Sequence, residues 1–406
     1  MDAKQLLGMR NAIQRELSGN ILPFWTKHAP DETRGGFIGR LSNDLVPDLA
    51  APKGLIVTAR ILWTFSAAFR RFPEQSHLRM AERAYHFLME RFWDAEFGGA
   101  FWMVDPYGRP LDTKKKVYGQ AFLLYALAEY VRTTRNPAAL DKARHLFQII
   151  EEHGYDKVHT GYFETYERNW ILAADLRLSE KDLNEAKSMN THLHLMEAYA
   201  NLFRVWTNPL LEERLRSLIR NFTDRILDRT HFRLICFFDE AWEPRSNLVS
   251  YGHDIETSWL LCEAADVLGD GALEEDIRSV AVRMAQAVID WGRDVDGSLF
   301  YEAEPSGIMD SDKHFWVQAE AVVGFLNAFQ LSGKPHFLEA AGQCWTFIQD
   351  HLVDRRHGDW LYRVSKDGKP ILDVPKISEW KCPYHSGRMC MESMERLDQI
   401  LKRNPA

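Results

Sequence analysis

The segment Gly98-Gly99-Ala100-Phe101-Trp102 is one copy of a short glycine and aromatic motif that recurs along the chain. Four more copies, and one segment that fills the remaining position without the glycine, stand at 35–38, 161–164, 297–301, 358–362 and 232–238. The spacing of about 60 to 75 residues is enough for two helices and a turn or short hairpin in each unit. The sequence therefore predicts six repeats that account for the whole chain.

Two kinds of predicted helix alternate between these segments. The stretch 54–65 is apolar on nearly every face, so a helix there must be buried on all sides. The stretches 74–92 and 274–291 place apolar residues three and four positions apart with charged residues between them, which is typical of a helix with one wet face. We therefore predict an all-α fold, an (α/α)6 barrel of inner and outer helices with short β-hairpins at one end. No Pro/Ser/Gly-rich linker interrupts the repeat, so we expect one domain over 1–406.

Composition and charge indicate which kinds of binding partner and which cellular location to expect. The formal net charge is −8, and the longest Lys/Arg run is 114–116, which argues against a nucleic-acid or anionic-membrane partner. The five cysteines are scattered without a C-x-x-C pair, which argues against a disulfide framework or a structural zinc site. The first fifteen residues lack the continuous apolar run of a signal peptide, and no stretch has the length and apolarity of a membrane span. We therefore expect a cytoplasmic protein with a small-molecule substrate.

Polar and aromatic side chains gather at the predicted starts of the inner helices, where they would face a common cavity. Every repeat contributes to this set, which comprises Arg60, Tyr118, Gln120, Asn190, His192, His194, His253, Glu256, Phe315, Trp316, Glu320, Trp380, Tyr384, His385 and Arg388. Asn190 and His194 are four residues apart and therefore share one helical face. His192 must point elsewhere, so we expect it to pack. The other three histidines are expected at equivalent positions of their repeats.

Histidines in such a cavity predict proton-transfer chemistry. The unperturbed pKa of histidine lies near neutrality, so its ring can take and return protons at physiological pH. Two histidines on opposite faces of a carbon next to a carbonyl would provide what an epimerase requires. Glu256, three residues after His253, could orient that ring. Arg60 and His194 could stabilise the negative charge of an enediolate.

Three other readings of the same residues remain open. A His-x-His pair with His253 and His385 could ligate zinc, but the divergence of His192 and the lack of cysteine or paired acidic ligands lead us to predict no metal. Glu256 and Glu320 could instead be the two opposed carboxylates of an (α/α)6 glycoside hydrolase. A non-catalytic sugar-binding protein would explain the aromatic residues but not the inward histidines.

Six segments carry a resemblance to a known family, at 35–40, 59–65, 188–194, 252–256, 318–321 and 380–385. Over essentially the whole chain the sequence resembles the N-acylglucosamine 2-epimerase superfamily, and within it most closely the cellobiose 2-epimerases. The resemblance implies an (α/α)6 barrel that needs no cofactor. It also implies conversion of the D-glucose unit at the reducing end of a β-1,4-linked disaccharide into D-mannose, through ring opening and a cis-enediolate.

The resemblance further implies roles for individual residues. His253 and His385 match the pair that exchanges the C2 proton, and His194 matches a third essential histidine. The residues expected to bind the sugar or support the histidines are Arg60, Tyr118, Asn190, Glu256, Trp316, Glu320 and Trp380. We expect a substrate of the cellobiose, lactose or mannose type and a monomer or dimer.

One local departure keeps a second substrate class open. Residues 315–317 read Phe-Trp-Val, where cellobiose 2-epimerases tend to carry two adjacent tryptophans followed by proline. The alternative prediction is therefore a D-mannose 2-epimerase or an aldose–ketose isomerase acting on free monosaccharides.

Overall fold

The computed structural model describes residues 1–403, so the last three residues of the expected 1–406 domain lie outside the described part. Its thirteen α-helices are α1 (Ala3–Glu16), α2 (Leu22–His28), α3 (Leu55–Arg71), α4 (Gln75–Phe87), α5 (Val117–Thr134), α6 (Pro137–Ile149), α7 (Met189–Phe203), α8 (Pro209–Asn221), α9 (Tyr251–Leu268), α10 (Gly271–Gly292), α11 (Phe315–Ser332), α12 (Pro335–Phe347) and α13 (Tyr384–Arg403). Within 1–403, no helix has the length and apolarity needed to cross a bilayer.

Six of these helices form a closed inner ring. Helices α3, α5, α7, α9, α11 and α13 each contact the next in this order, and α13 contacts α3. Helices α4, α6, α8, α10 and α12 each pack on the inner helix that precedes them, while α1 packs on α13. The first helix of the chain thus supplies the outer partner of the last inner helix. This arrangement confirms the predicted (α/α)6 barrel.

Burial explains why the two layers have different sequences. Every residue of 55–68 in α3 is buried, because this helix contacts other helices on all sides. In α4 only the stripe His77, Met80, Ala81, Ala84, Tyr85 and Phe87 is buried, at helical spacing. Five outer helices run into a π-helical turn, at Leu17–Ile21, Leu88–Phe92, Ile150–Gly154, Phe222–Ile226 and Ile348–Leu352.

Short strands cover the N-terminal ends of the inner helices. They are β1 (Arg40–Leu41), β2 (Pro47–Asp48), β3 (Lys53–Gly54), β4 (Met103–Val104), β5 (Pro110–Asp112), β6 (Lys115–Lys116), β7 (Thr165–Tyr166), β8 (Lys187–Ser188), β9 (Leu227–Asp228), β10 (Arg233–Leu234), β11 (Phe237–Phe238), β12 (Val249–Ser250), β13 (Glu302–Glu304), β14 (Gly307–Asp310), β15 (Lys313–His314), β16 (Arg363–Val364) and β17 (Pro370–Ile371).

The pairing of these strands links successive repeats. Strands β3, β6, β8, β12 and β15 each lead directly into an inner helix and pair antiparallel with β4, β7, β11, β13 and β16 of the following unit. Local hairpins such as β4–β5 and β16–β17 add a third strand to three of these sheets. The hairpin β1–β2 forms a separate two-stranded sheet. The predicted hairpins at one end are therefore present, and the sheets also bridge neighbouring repeats.

The glycine motif is a tight turn that the inner helix holds in place. Gly98 and Gly99 have φ angles of 70° and 67°, a left-handed conformation that favours glycine. The side-chain amide of Gln120 donates to the Ala100 carbonyl at 2.9 Å and its oxygen accepts from the Ala100 N–H at 2.8 Å. In the repeat that lacks the glycine, Phe232 adopts a φ of 54°.

Buried lysine–aspartate pairs fix five of the six turns. The lysine stands on the strand or loop before an inner helix, the aspartate stands at the start of the turn, and the pairs are Lys53–Asp31, Lys115–Asp94, Lys187–Asp156, Lys313–Asp294 and Lys376–Asp354, at 2.7 to 3.0 Å. Moving the two partners of a buried ion pair apart is costly, because each would then be a buried charge without compensation. The pairs therefore hold the inner-helix starts, and the side chains at those starts, in fixed positions.

Candidate active site

A cavity of about 860 Å³ opens at the end of the barrel where the inner helices begin. Nine of the ten site residues predicted from the sequence line it, namely Arg60, Tyr118, Asn190, His194, His253, Glu256, Trp316, Trp380 and His385. Glu320, the tenth, does not reach the cavity, because it is fully buried behind His385. It is placed to support that histidine rather than to touch a ligand.

The three cavity histidines enter at different depths. His385 is the second residue of α13, His253 the third residue of α9, and His194 the sixth residue of α7. The expectation of equivalent repeat positions was therefore wrong. Because the inner helices converge on one cavity, residues at different heights can still face the same space.

His253 is held by the hydroxyl group of the residue that precedes α9. Its Nδ1 lies 2.7 Å from the Ser250 Oγ, and its ring centroid lies 4.9 Å from that of Trp316. Desolvation by burial lowers the pKa of His253 to about 3, so its ring is neutral at pH 7. The Nε2 atom has no protein partner among the described residues and is free to meet a ligand. Glu256 forms no hydrogen bond with this ring and pairs with Arg388 instead, which corrects our expectation that it orients His253.

His385 is held by a carboxylate instead. Its Nδ1 lies 2.7 Å from Oε1 of Glu320, and its ring centroid lies 5.5 Å from that of Trp316. A carboxylate partner favours a proton on Nδ1, which leaves Nε2 unprotonated toward the cavity. Burial, reinforced by the nearby charges of Arg60 and Arg388, holds the pKa of His385 well below its usual value. His253 and His385 thus stand as two neutral imidazoles beside the same tryptophan.

His194 also has a carboxylate partner, and His192 has none. The Nδ1 of His194 lies 3.0 Å from Oε2 of Glu197, one helical turn further along α7. His192 accepts a hydrogen bond from the Tyr162 N–H at 2.9 Å and its Nδ1 lies 2.7 Å from the Ser188 carbonyl oxygen. Burial lowers the pKa of His192 to about 3. His192 therefore packs outside the cavity, as expected.

Arg60 is a buried cation without a carboxylate partner in the described part of the chain. Its Nη2 donates to the Tyr118 hydroxyl at 3.0 Å, and its guanidinium lies 4.1 Å from the centre of the Phe122 ring. The Nε atom is buried and has no hydrogen-bond partner. A buried positive charge that is satisfied only in part favours an anionic or strongly dipolar ligand.

A second buried arginine, Arg388, pairs with three acids through its two Nη atoms. Arg388 donates from Nη1 to Glu197 and from Nη2 to Glu256 and Glu320, the last at 2.7 Å. Desolvation and the neighbouring Glu320 charge raise the pKa of Glu256 to about 8. The buried Oε2 of Glu256 has no protein partner, so a proton on this oxygen would be donated as a hydrogen bond into the cavity.

Comparison with known proteins places this site in a family. Residues 36–386 match the family model described as N-acylglucosamine 2-epimerase (GlcNAc 2-epimerase). The chain is 46% identical over 387 residues to the cellobiose 2-epimerase of Bacteroides fragilis, covering 95% of this chain and 98% of that protein. It is 39% identical to the cellobiose 2-epimerase of Dictyoglomus turgidum, covering 98% and 100% of the two chains. The chain belongs to the N-acylglucosamine 2-epimerase family.

A solved structure of this epimerase family has the same fold. The structure of cellobiose 2-epimerase from Bacillus thermoamylovorans superposes with a TM-score of 0.92 at 40% identity, over 95% of this chain and 99% of that chain. Membership in the family confirms the resemblance identified from the sequence segments, and it makes the protein a carbohydrate epimerase.

The donor groups of this epimerase do not fit a metal ion in the catalytic cavity. Glu256, Glu320 and His385 are close enough together to share a cation. The Nη2 of Arg388 already donates to both glutamates, so a guanidinium occupies the place and supplies the charge that a metal would bring.

Sequence reasoning missed several residues of this epimerase site. Glu197, Ser250 and Trp259 hold His194, His253 and Glu320 in place, and Trp102, Phe237, Tyr301 and Tyr362 add aromatic wall to the cavity. Glu197 was the one with a usable signal, since it is the only acidic residue of α7 and stands three residues after His194. The loop residues 176–183 also border the cavity, and nothing in their polar sequence predicts this position.

Proposed function

We propose that this protein is a cellobiose 2-epimerase that interconverts D-glucose and D-mannose at the reducing end of β-1,4-linked disaccharides. The observation that carries the proposal is the pair formed by His253 and His385. Both rings lie against Trp316, both are neutral, and both have an Nε2 atom free to face the cavity. Two such bases beside one binding platform suit removal of a proton from one face of a carbon and its return to the other.

The reaction balances without an external reagent. After ring opening, one histidine takes the C2 proton of the aldose, and the electron pair of the C2–H bond forms the C1–C2 double bond of a cis-enediolate. The other histidine takes a proton from solvent at Nε2, delivers it to the opposite face of C2 and so restores the aldehyde, and the first histidine then releases the C2 proton to solvent. Glu320 stabilises the charged form of His385 when it holds the proton, because its carboxylate contacts Nδ1.

Charge that develops on the sugar oxygens has a cationic counterpart. Arg60 lines the cavity and lacks a carboxylate, so its guanidinium is available to the enediolate oxygens. Glu256, whose pKa is raised, and the neutral His194 also line the cavity and can form hydrogen bonds with the neighbouring hydroxyl groups. Such preorganised donors in a desolvated site lower the barrier because they need no rearrangement as charge appears.

The walls of the cavity support a substrate with two sugar rings. A volume of about 860 Å³ lies in the upper part of the range typical of small-molecule sites. Trp316 stands beside the histidine pair, whereas Trp380 and Trp102 lie near each other, with ring centroids 5.9 Å apart and ring planes tilted by 56°. Trp316 is placed to bind the reacting sugar ring, and the Trp380 and Trp102 pair is placed to bind the second sugar ring of the disaccharide.

The geometry does not favour a glycoside hydrolase. Hydrolysis needs two carboxyl groups that flank the scissile bond, about 5 to 9.5 Å apart. Glu256 and Glu320 instead bind the same nitrogen of Arg388, and Glu320 does not line the cavity. They cannot act from opposite sides of a substrate.

The proposal is tested by NMR in heavy water with EDTA, with cellobiose and D-mannose offered separately. We expect cellobiose to give 4-O-glucosyl-mannose that carries deuterium at C2. Turnover of mannose alone would replace the proposal with a monosaccharide epimerase, and a ketose as the main product would replace it with an isomerase. Absence of both exchange and turnover would refute it.

Replacing Arg60 with methionine should lower kcat/KM by about 10²- to 10³-fold, because the enediolate loses its cationic partner in a desolvated site. Steady-state kinetics with cellobiose measure the effect. Arg70→Met is the matched control, since Arg70 lies on the same helix, pairs with Glu129 at the other end of the barrel and does not line the catalytic cavity. A loss in Arg60→Met no larger than in this control would contradict the role of Arg60.

A further inference from the structure

A second cavity of about 380 Å³ lies at the opposite end of the barrel from the catalytic one. Its walls come from the C-terminal parts of the inner helices, as the lining residues Arg70, Arg132, Asn201 and Glu263 show. Glu197 also lines this second cavity, although its carboxylate contacts His194, which lines the first. The side chain of Glu197 thus lies between His194 and the second cavity.

The carboxylate of Glu197 has three partners that fix its orientation. Its Oε1 accepts hydrogen bonds from the Tyr384 hydroxyl and from Nη1 of Arg388, and its Oε2 faces Nδ1 of His194 at 3.0 Å. Burial raises its pKa, but Arg388 and the His194 bond outweigh burial, so the pKa of Glu197 lies below its usual value. Glu197 is therefore an ionised acceptor held between a cation and an imidazole.

An ionised acceptor at Nδ1 determines the tautomer of the ring. His194 must carry its proton on Nδ1 to bond Glu197, which leaves Nε2 unprotonated. Burial and the nearby Arg60 and Arg388 charges keep this ring neutral. The unprotonated Nε2 then faces the catalytic cavity as a hydrogen-bond acceptor for a sugar hydroxyl.

We propose that Glu197 is a positioning residue of the reaction, which holds His194 in the Nδ1-protonated tautomer so that Nε2 can take the proton of the anomeric hydroxyl during ring opening. As that proton leaves, the O–H electron pair forms the C1 carbonyl, the C1–O5 bond breaks, and O5 takes a proton from water. The part that concerns ring opening rests on the proposed epimerase function. The part that concerns the tautomer rests on the contacts and the ionised state of Glu197 and does not depend on that function. The bond to Arg388 also connects His194, through Glu197, Arg388 and Glu320, to His385 in one continuous hydrogen-bonded chain.

The variant Glu197→Gln separates these two parts. Glutamine has the same shape, but its amide can donate to Nδ1, and the ring would then carry its proton on Nε2. We expect kcat with cellobiose to fall by about 10²-fold or more, as a wrong histidine tautomer does elsewhere, with KM changed less than about threefold. ¹⁵N NMR of histidine-labelled protein, with the His194 signals assigned by their loss in His194→Asn, should show the Nδ1-H tautomer in the wild type and the Nε2-H tautomer in the variant.

Glu129→Gln is the control for a merely structural effect. Glu129 is also fully buried, binds Arg70 and Arg132, and contacts neither the catalytic cavity nor a histidine. We expect this variant to keep kcat within about twofold of the wild type whatever its melting temperature. An unchanged His194 tautomer in Glu197→Gln, or a kcat within about threefold of the wild type, would overturn the proposal. If the tautomer switches in Glu197→Gln but the wild-type protein itself does not turn over cellobiose, the proposed function is refuted and the tautomer assignment still holds.

Discussion

Replacing His385 with asparagine should lower the rate of epimerisation by about 10³-fold or more. One of the two epimers should nevertheless continue to exchange its C2 proton with solvent. The asparagine amide can still donate to Glu320, so the packing around the removed ring is preserved. His253 remains able to take a proton from its own face of C2 and return a deuteron to that face. Without a second base, the other face receives nothing, and the configuration does not change.

The measurement is deuterium incorporation at C2 in heavy water, with cellobiose and its mannose epimer supplied separately to His385→Asn and to His253→Asn. Each variant should exchange one epimer, and the two variants should exchange opposite ones. His192→Asn is the control, because His192 lies on α7 two residues from His194 but packs against Tyr162 outside the cavity. Retained epimerisation in either catalytic variant, or loss of exchange with both epimers in both variants, would refute the assignment of two bases on two faces.

Replacing Arg388 with methionine should destabilise the fold by about 3 to 5 kcal/mol, the usual cost of removing one partner from a buried ion pair. Arg388 is the shared partner of Glu197, Glu256 and Glu320, and its side chain is 1% exposed. Its loss would leave three buried carboxylates close together without a cation. We expect the melting temperature to fall by about 4 to 6 °C at pH 8.

The loss should be smaller at lower pH, and its sign follows from linkage. Without Arg388 the three buried carboxyl groups lose the cation that favours their ionised form, and burial favours the protonated form. The folded variant then binds more protons than the unfolded chain, so its stability falls as pH rises and recovers as pH falls. Melting curves at pH 5.5 and pH 8 should therefore show a smaller difference from the wild type at pH 5.5.

Arg396→Met serves as the control for that variant. Arg396 lies two turns further along α13, and its guanidinium bonds the amide oxygens of Asn327 and Gln330. Its ion-pair partner is Glu392, which lies 4.0 Å away and is partly exposed, so its loss should cost less than that of Arg388 and show a smaller pH dependence. A deficit in Arg388→Met that does not change between the two pH values would contradict the account of Arg388 as the cation of this cluster.

Much of the fold and most of the cavity lining could be predicted from the sequence. Helix burial follows from local composition, so the apolar stretch 54–65 and the amphipathic stretch 74–92 identified an inner and an outer helix directly. The repeated glycine turns set the number of units. Because inner-helix starts face the cavity in every unit, nine of ten candidate site residues could be placed from their position alone.

Partners across the barrel could not be predicted in this way. Glu256 is three residues from His253, and local spacing suggested that the two interact, but its partner is Arg388, 132 residues away. The partner of His385 is Glu320, 65 residues away, and the lysine–aspartate pairs that fix the turns join residues about 20 to 30 positions apart. Such pairs depend on how six helices converge, which the spacing within any one helix does not encode.

The sequence by itself thus determined the layers of the barrel, the position of the cavity and the identity of most groups that line it, because these depend on periodicity and on repeat number. Only the tertiary structure decided which acid holds which histidine, and therefore which ring nitrogen faces the substrate. The physical reason is that protonation in a buried site depends on the nearest charge in space. For His385 and Glu256, that charge comes from another helix.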